Sequence, residues 1–388
     1  MIQIINKADC CGCSACAQRC PKQCITMQSD HEGFLYPIID TNNCIDCGLC
    51  EKVCPVINQS EAQTPLKVYA AINKNENIRQ QSSSGGIFTV LAHNTIARNG
   101  VVFGVKFNKQ WEVVFDYTES IDGIAQFRGS KYVQATVGDA FINAEKFLKE
   151  GREVLFCGTP CQIAGLKKFL RKEYSNLLTV DIICHGVPSP KVWNRYLQET
   201  CSKLLKKTEI TEIETISFRS KITGWRRYSF LLKARSNSKK DVITYTQQAQ
   251  QNTYLRGFIA DLYLRPSCHN CPSKLGKSHS DITIADFWGI ENIDKEINYE
   301  NGVTAIFINN SKGEEYCKLT GCDIKEFTYE DVVKYNSARL KSSKMHKDRE
   351  NFFKNIDKKK SIISLIDKYT KITLSQRIFN KIKRIFKL

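Results

Sequence analysis

The chain has no run of apolar residues near the roughly 18 needed to span a bilayer, so no transmembrane helix is expected. Its first residues, Met1-Ile2-Gln3-Ile4-Ile5-Asn6-Lys7, lack the apolar core of a secretory signal. With no export signal in view, a cytoplasmic location is expected and disulfide pairing is a poor account of its cysteines. Acidic residues are scarce beside basic ones, 40 against 57, which leaves a net charge of +17 over 388 residues. No nucleic-acid recognition motif accompanies that charge, so no nucleic-acid partner is expected. A disordered chain is excluded by 42% hydrophobic and 10% aromatic residues. Methionine is rare, at three, whereas cysteine reaches 18.

Ten of those cysteines lie between residues 10 and 54, in an internal repeat. Cys10, Cys13, Cys16 and Cys20, followed by Pro21, recur as Cys44, Cys47, Cys50 and Cys54, followed by Pro55, with an offset of 34 throughout. This C-x2-C-x2-C-x3-C-P spacing is the bacterial ferredoxin run. Three closely spaced thiolates wrap one 4Fe–4S cubane and the fourth crosses to the other. One cluster is therefore expected on Cys10, Cys13, Cys16 and Cys54, and the other on Cys44, Cys47, Cys50 and Cys20. Zinc prefers two Cys pairs with a longer spacer. Cys11 and Cys24 fall outside the repeat and read as packed free thiols.

Residues 1–57 thus form a two-cluster domain, and the polar stretch 58–66 reads as a linker. From Val68 the pattern becomes mixed α/β. Strands are expected at Val68–Asn73, Val101–Phe107, Trp111–Tyr117, Glu153–Cys157 and Leu178–Cys184. Further strands are expected as a pair around Thr223-Gly224, at Asp281–Trp288 and at Thr304–Asn310. An amphipathic helix spans residues 139–149. Thr159 and Pro160 supply a helix N-cap and first helical position. The strand–helix–strand–helix order predicts a partly parallel sheet with right-handed crossovers. The expected fold is a small ferredoxin-like domain fused to a mixed α/β domain over 67–345, in parts of about 67–170 and 171–345.

Four later cysteines form a second constellation. The loops carrying Cys161 and Cys184 both follow parallel strands and so open on one sheet edge, where α/β folds place ligands. Cys161 lies in the first turn of a helix, where a thiolate is favoured. Cys268 and Cys271 form a tight chelating pair. The spacing admits a third iron–sulfur site, a zinc site or buried thiols. Cys157 ends a strand and competes as a ligand, while Cys201, Cys317 and Cys322 read as structural. The small-residue loop Ser82–Gly86 opens a helix and admits either a phosphate cradle or a plain turn. In the loop Gly129–Tyr132, Lys131 admits a phosphate or flavin contact or a solvated position. His185 beside Cys184 reads as structural.

Five segments in order resemble a known family: Ser83–Gly86, Gly129–Gln134, Phe156–Lys167, Asp181–Pro190 and Asp281–Gly289. Together they resemble the beta subunit of coenzyme F420-reducing hydrogenase and formate dehydrogenase, a family that includes plant 7-hydroxymethyl chlorophyll a reductase. The resemblance covers roughly residues 66–345. It implies a flavoprotein that binds FAD and an iron–sulfur centre in this domain. It makes Ser83, Ser84, Gly85, Gly86, Lys131, Tyr132, Thr159, Asp286 and Trp288 the expected flavin contacts. It also favours a third 4Fe–4S cluster on Cys161, Cys184, Cys268 and Cys271. A flavin can take a hydride and release its electrons singly to clusters. The implied partners are a small-molecule substrate and a redox carrier: reduced ferredoxin, flavin or a deazaflavin coenzyme. Bacterial members are encoded beside surface-polysaccharide genes, which brings substrates of that kind into the expectation. The alternative is an electron-transfer subunit of a larger complex with no substrate of its own.

Residues 346–388 read as a basic tail, and the last 31 hold ten Lys or Arg against one Asp. Ile378, Ile382, Ile385 and Phe386 share a face of an amphipathic helix over 376–388. That helix admits either peripheral contact with an anionic membrane surface or docking on its own domain.

Overall fold

A computed structural model of the chain describes residues 1–205, 210–236 and 242–371. Thirteen strands are described. The first two, β1 (Ile25–Ser29) and β2 (Leu35–Ile39), pair as an antiparallel hairpin inside the ferredoxin half. Eight others form one sheet. In chain order these are β3 (Lys67–Asn73), β4 (Val101–Phe107), β5 (Val113–Thr118), β6 (Val154–Gly158) and β7 (Leu177–Ile182). After the three-stranded unit β8 (Ile210–Ser220), β9 (Ser229–Ser236) and β10 (Val242–Gln248), the chain returns to the sheet. It does so with β11 (Ile282–Asp286), β12 (Thr304–Ile308) and β13 (Cys322–Phe327).

The order across the large sheet is β13-β3-β12-β11-β7-β6-β4-β5. Its centre, β11-β7-β6-β4, is parallel, and the remaining pairs are antiparallel. The sheet is therefore mixed α/β and partly parallel, as the strand–helix alternation predicts. β3 lies two antiparallel steps from β11 and so runs in the same direction. The loops after β3, β6, β7 and β11 consequently open on one edge.

Alternation along the central strands divides the core between two faces. Val101, Phe103, Val154 and Phe156 face the helices Ala140–Lys149 and Pro160–Leu170, meeting Phe141, Leu148, Ile163 and Phe169. Val102, Leu155, Leu178 and Ile282 face the helix Ile87–Ala97 through Ile87 and Leu91. With both faces covered, β7 is buried for five of its six residues, as a central parallel strand should be. The β8–β10 unit packs Phe218, Phe230 and Leu232 against Trp193 and Tyr196 of the helix Pro190–Leu205.

Part of the basic tail differs from a free tail. Helices Arg349–Lys354 and Ile362–Thr370 send Phe352, Phe353, Ile362, Leu365 and Ile366 into the main core. Arg349 makes a buried ion pair with Glu32 of the ferredoxin half. The amphipathic helix expected over 376–388 lies outside the described residues. Among those described, no helix is long and apolar enough to cross a membrane.

Candidate functional site

The cysteine repeat is also a repeat of backbone conformation. Gly12 and Ser14 have φ of 72° and 63°, and Asp46 and Gly48, 34 positions on, have 48° and 68°. Each left-handed residue precedes a short helix, Ala15–Arg19 or Leu49–Lys52, that carries the third thiol. Left-handed backbone favours glycine, so the two halves are built on the same costly turn.

The crossing of the fourth thiol follows from this pairing. Cys10, Cys13, Cys16 and Cys54 lie together; burial and the neighbouring Cys10 and Cys54 push the Cys16 thiol up to about 12. Cys20, Cys44, Cys47 and Cys50 line one small cavity with Ile25, Ile39 and Leu49. Cys24 lines the same cavity, with its sulfur 3.4 Å from Cys20. It is therefore a fifth thiol beside that set. Backbone N–H groups already point at sulfur there: Ile2 at Cys50 (3.3 Å) and Asp46 at Cys44 (3.4 Å).

The second constellation assembles at the sheet edge. A reciprocal capping box between Thr159 and Gln162 starts the helix that carries Cys161, and the Thr159 hydroxyl lies 3.3 Å from the Cys161 sulfur. Cys184 follows β7, and the Val187 N–H points at the Cys268 sulfur (3.4 Å). Burial pushes Cys184 up to about 12; Cys161 and Cys271 push the same way while the Lys274 ammonium opposes them. Cys268 and Cys271 are likewise raised, by burial first and then by their neighbouring thiols. These four groups resist ionisation without a cation to share. Among the described residues, no three His, Cys, Asp or Glu side chains converge tightly enough for a single metal ion.

Cys11 does not sit among inert neighbours. It is buried in the same core cluster as Cys13, and Cys161 packs against that cluster. The ferredoxin half and the second constellation meet at this point.

The expected flavin contacts divide. Ser83, Tyr132, Asp286 and Trp288 surround Arg219, a buried residue of β8 outside every expected site, while Ser84 bonds to Val303 and Lys221. Arg219 donates to Asp286 Oδ1 at 3.0 Å, and its guanidinium lies 4.1 Å from the Tyr228 ring centre and 5.1 Å from that of Trp288. Trp225 donates to the same carboxylate at 2.9 Å and stacks on Trp288 at 5.0 Å, with planes 7° apart. Lys221 donates to the carbonyls of Arg79, Ser84 and Asn301, and burial lowers its pKa to about 7. Gly85 is a close approach of backbones: a Cβ there would collide with the Ala71 carbonyl of β3. Gly86, at φ 85°, starts the following helix. Lys131 spends its ammonium on the carbonyls of Gln126, Arg128 and Gly129, and desolvation lowers its pKa to about 7. Thr159 serves the helix cap and Cys161 rather than the Arg219 group.

One signal for the missed residues was present. Trp225-Arg226-Arg227-Tyr228 interleaves aromatic and basic residues beside the turn that joins β8 to β9. His185 meets Asp261 at 2.6 Å and packs edge-on against Phe258. Cys317 and Cys322 neighbour each other at the margin of a core cluster, and Cys201 is half-buried in a helix.

Grouped thiols joined to a basic, aromatic pocket on an α/β sheet edge define the class: an iron–sulfur electron-transfer protein of oxidoreductase type. Residues 9–58 match the 4Fe–4S dicluster domain. Residues 151–334 match the family model of the C terminus of the coenzyme F420 hydrogenase/dehydrogenase beta subunit, so the chain carries that domain with the dicluster domain in front. The F subunit of the F(420)H(2) dehydrogenase of Methanosarcina mazei is 22% identical over 338 residues, covering 81% of this chain and 83% of that protein. A 7Fe ferredoxin of Hydrogenibacillus schlegelii is 49% identical over 43 residues, 11% of this chain and 49% of its own length. A chain in a structure of the F420-reducing [NiFe] hydrogenase complex from Methanosarcina barkeri aligns with a TM-score of 0.46 at 14% identity. It covers 77% of this chain and 94% of that one.

Proposed function

We propose that this chain is an iron–sulfur flavoprotein that exchanges electrons between a two-electron carrier or small-molecule substrate and one-electron partners. The carrying observation is the common sheet edge: it presents the thiols of Cys161 and Cys184 and the Arg219–Asp286–Trp288 pocket, with the ferredoxin half docked beside Cys161. Four thiols on three segments, raised in pKa by burial first and then by one another, suit a third 4Fe–4S cluster.

The pocket suits FAD on one further observation. Among the described residues the Arg219 Nε is buried without an acceptor, and an anionic oxygen of the cofactor would satisfy it. Arg219 and the Ser83 and Ser84 loop would hold the group, while the stacked Trp225 and Trp288 wall off water. Bound there, a flavin supplies the conversion between hydride and single-electron chemistry. Asp286 fixes the Arg219 fork, and Lys221 clamps the β8 turn onto the Ser84 loop.

A second reading, an electron-transfer subunit within a larger complex, is favoured by one relative being named as a subunit. Deazaflavin coenzyme is the carrier that such a relative suggests. Iron and acid-extracted flavin per chain, measured after anaerobic purification, test the first reading. It expects about twelve iron and one FAD; eight iron without flavin overturns it. Turnover of a small molecule by the isolated chain would remove the second.

A further inference from the structure

Burying a charge is costly unless an opposite charge meets it. Three buried arginines obey this: Arg79 meets Glu76, Arg219 meets Asp286 and Arg349 meets Glu32. Arg265 is fully buried, yet among the described residues no carboxylate lies within ion-pair distance of it. Its acceptors are neutral: the Cys10 carbonyl at 2.7 Å, Gln134 Oε1 at 2.9 Å and the Leu35 carbonyl at 3.0 Å. Its guanidinium lies 4.2 Å from the Tyr36 ring centre.

This cation stands between the two thiol sets. On one side it holds Cys10, the first thiol of the ferredoxin repeat, through that carbonyl. Gly12, two residues on, has no room for a side chain, since a Cβ would lie 2.9 Å from Arg265 Nη1. On the other side the Arg265 carbonyl accepts the Cys268 N–H at 2.9 Å, and the Arg265 N–H donates to the Val187 carbonyl at 3.0 Å, in the loop after Cys184. Gln134 bridges the same gap: its side chain donates to the Cys11 carbonyl at 3.3 Å and its backbone N–H to the Pro188 carbonyl at 3.0 Å. A second cation, Lys274, donates to the Cys184 carbonyl at 2.7 Å and so serves the second set. Arg265 is the one that reaches both. The fold thus keeps an unneutralised positive charge against two sets of thiols, and clusters held by four thiolates are anionic.

We propose that Arg265 is the shared counter-ion of the first ferredoxin cluster and of the centre on Cys161, Cys184, Cys268 and Cys271, and that its charge raises the reduction potential of both. This rests on reading those four thiols as ligands of an iron–sulfur centre. Each reduction adds an electron to a centre that is already negative, and a nearby buried cation favours the more negative form. In the step served, one electron leaves one centre and enters the other; no covalent bond forms or breaks, and Arg265 keeps its protons. Because the charge faces both centres, it lifts the two potentials together and leaves the exchange between them near balance. Arg265 donates to carbonyls and an amide rather than to sulfur. It is thus a positioning residue.

The test is redox titration of the anaerobically purified full chain, followed by electron paramagnetic resonance, for wild type, Gln134→Glu, Gln134→Met and Arg265→Lys. About twelve iron per chain are expected in each. Gln134→Glu sets a carboxylate where Arg265 now meets an amide oxygen, and the guanidinium keeps it ionised. With the charge cancelled, reduction of the inner ferredoxin cluster and of the Cys161 centre becomes about tenfold less favourable, about 59 mV for a one-electron couple. The outer cluster, whose Cys47 is exposed, moves least. Gln134→Met loses the same hydrogen bonds without adding charge, and Arg265→Lys keeps the charge without the fork; both stay near wild-type potentials. Unmoved potentials in Gln134→Glu overturn the proposal, as does a shift confined to one of the two centres or an equal shift in Gln134→Met. If Gln134→Glu does not hold its iron, Arg265→Lys against Arg265→Gln decides: the glutamine variant alone shifts, and equal potentials overturn the proposal. Eight iron in the wild type overturns the third-cluster reading and this proposal together; twelve iron with unmoved potentials overturns this proposal alone.

Discussion

The two halves of the ferredoxin repeat share thiol spacing, left-handed turns and short third-thiol helices, yet they live in different places. The half containing Cys10–Cys20 is pinned under Arg265 and the helix Pro160–Leu170. The half containing Cys44–Cys54 keeps Cys47 and Ile45 at the surface. Residues inside the repeat build a cluster cage; residues between its thiols decide what the cage faces. The inner half thus faces the body of the protein, and the outer half faces solvent.

The largest effect should come from removing a crossing thiol. Cys54→Ser and Cys20→Ser are each expected to cost about four iron per chain. The two differ in what survives. Cys20→Ser leaves the inner cluster to equilibrate with the centre on Cys161, whereas Cys54→Ser isolates the outer cluster from it. Stoichiometric reduction followed by visible and magnetic spectra distinguishes them, and identical behaviour would break the contrast between inner and outer. In both variants residues 1–57 should become protease-sensitive. Their small local core holds Ile2, Ile25 and four cysteines, so metal binding and folding are coupled there.

A pair of glycines isolates the seam itself. Gly12→Ala and Gly48→Ala both place a side chain in left-handed backbone, at a cost of about 1–2 kcal/mol. A Cβ at Gly48 meets nothing within 4 Å, whereas at Gly12 it strikes Gln134 and Arg265. Overpacking should therefore add about 1–3 kcal/mol at Gly12 alone. Denaturant unfolding of the loaded protein measures the difference, and equal losses would mean the seam yields without strain.

The same contrast governs what could be read from the sequence. The repeat was legible because its ligands are local and its geometry is written in spacing. The parallel strands β6 and β7 were legible because burial on both faces leaves continuous apolar runs, and their common edge followed from their shared direction. The Arg219 cluster was not legible. It joins β8, β11, the Ser83 loop and Tyr132, which lie up to 203 residues apart in the chain (Ser83 to Asp286) and meet only through the fold.

Arg219→Met extends the comparison to the proposed flavin pocket around Arg219. A hydrogen bond to a charged group is worth about 1.5–3 kcal/mol, so FAD retention should fall roughly tenfold to a hundredfold. Iron content should be unaffected. Flavin and iron assays on the same preparation check this. Loss of iron together with flavin would show that the pocket and the thiol sets are not separable units.

The smallest effect is a dependence on pH. Burial, the leading cause, holds the Lys221 pKa near 7 against an ordinary value of 10.5, with Arg79 and Arg219 acting in the same direction and Asp286 and Glu76 opposing. Between those two values the unfolded chain binds a proton that the folded chain does not, so this group's contribution to stability rises with pH across the window. Below pH 7 both states are protonated and the folded state carries the full cost of a desolvated charge. The structural thiol of Cys317 acts in the opposite sense above its ordinary value of 9.0, because burial raises its pKa to about 12. Lys221→Met separates the two: the difference in unfolding free energy between variant and wild type should shrink from pH 7 to pH 9 if the lysine is the source. A difference that stays constant over that range would mean that the three carbonyls around its ammonium keep Lys221 charged in the folded protein.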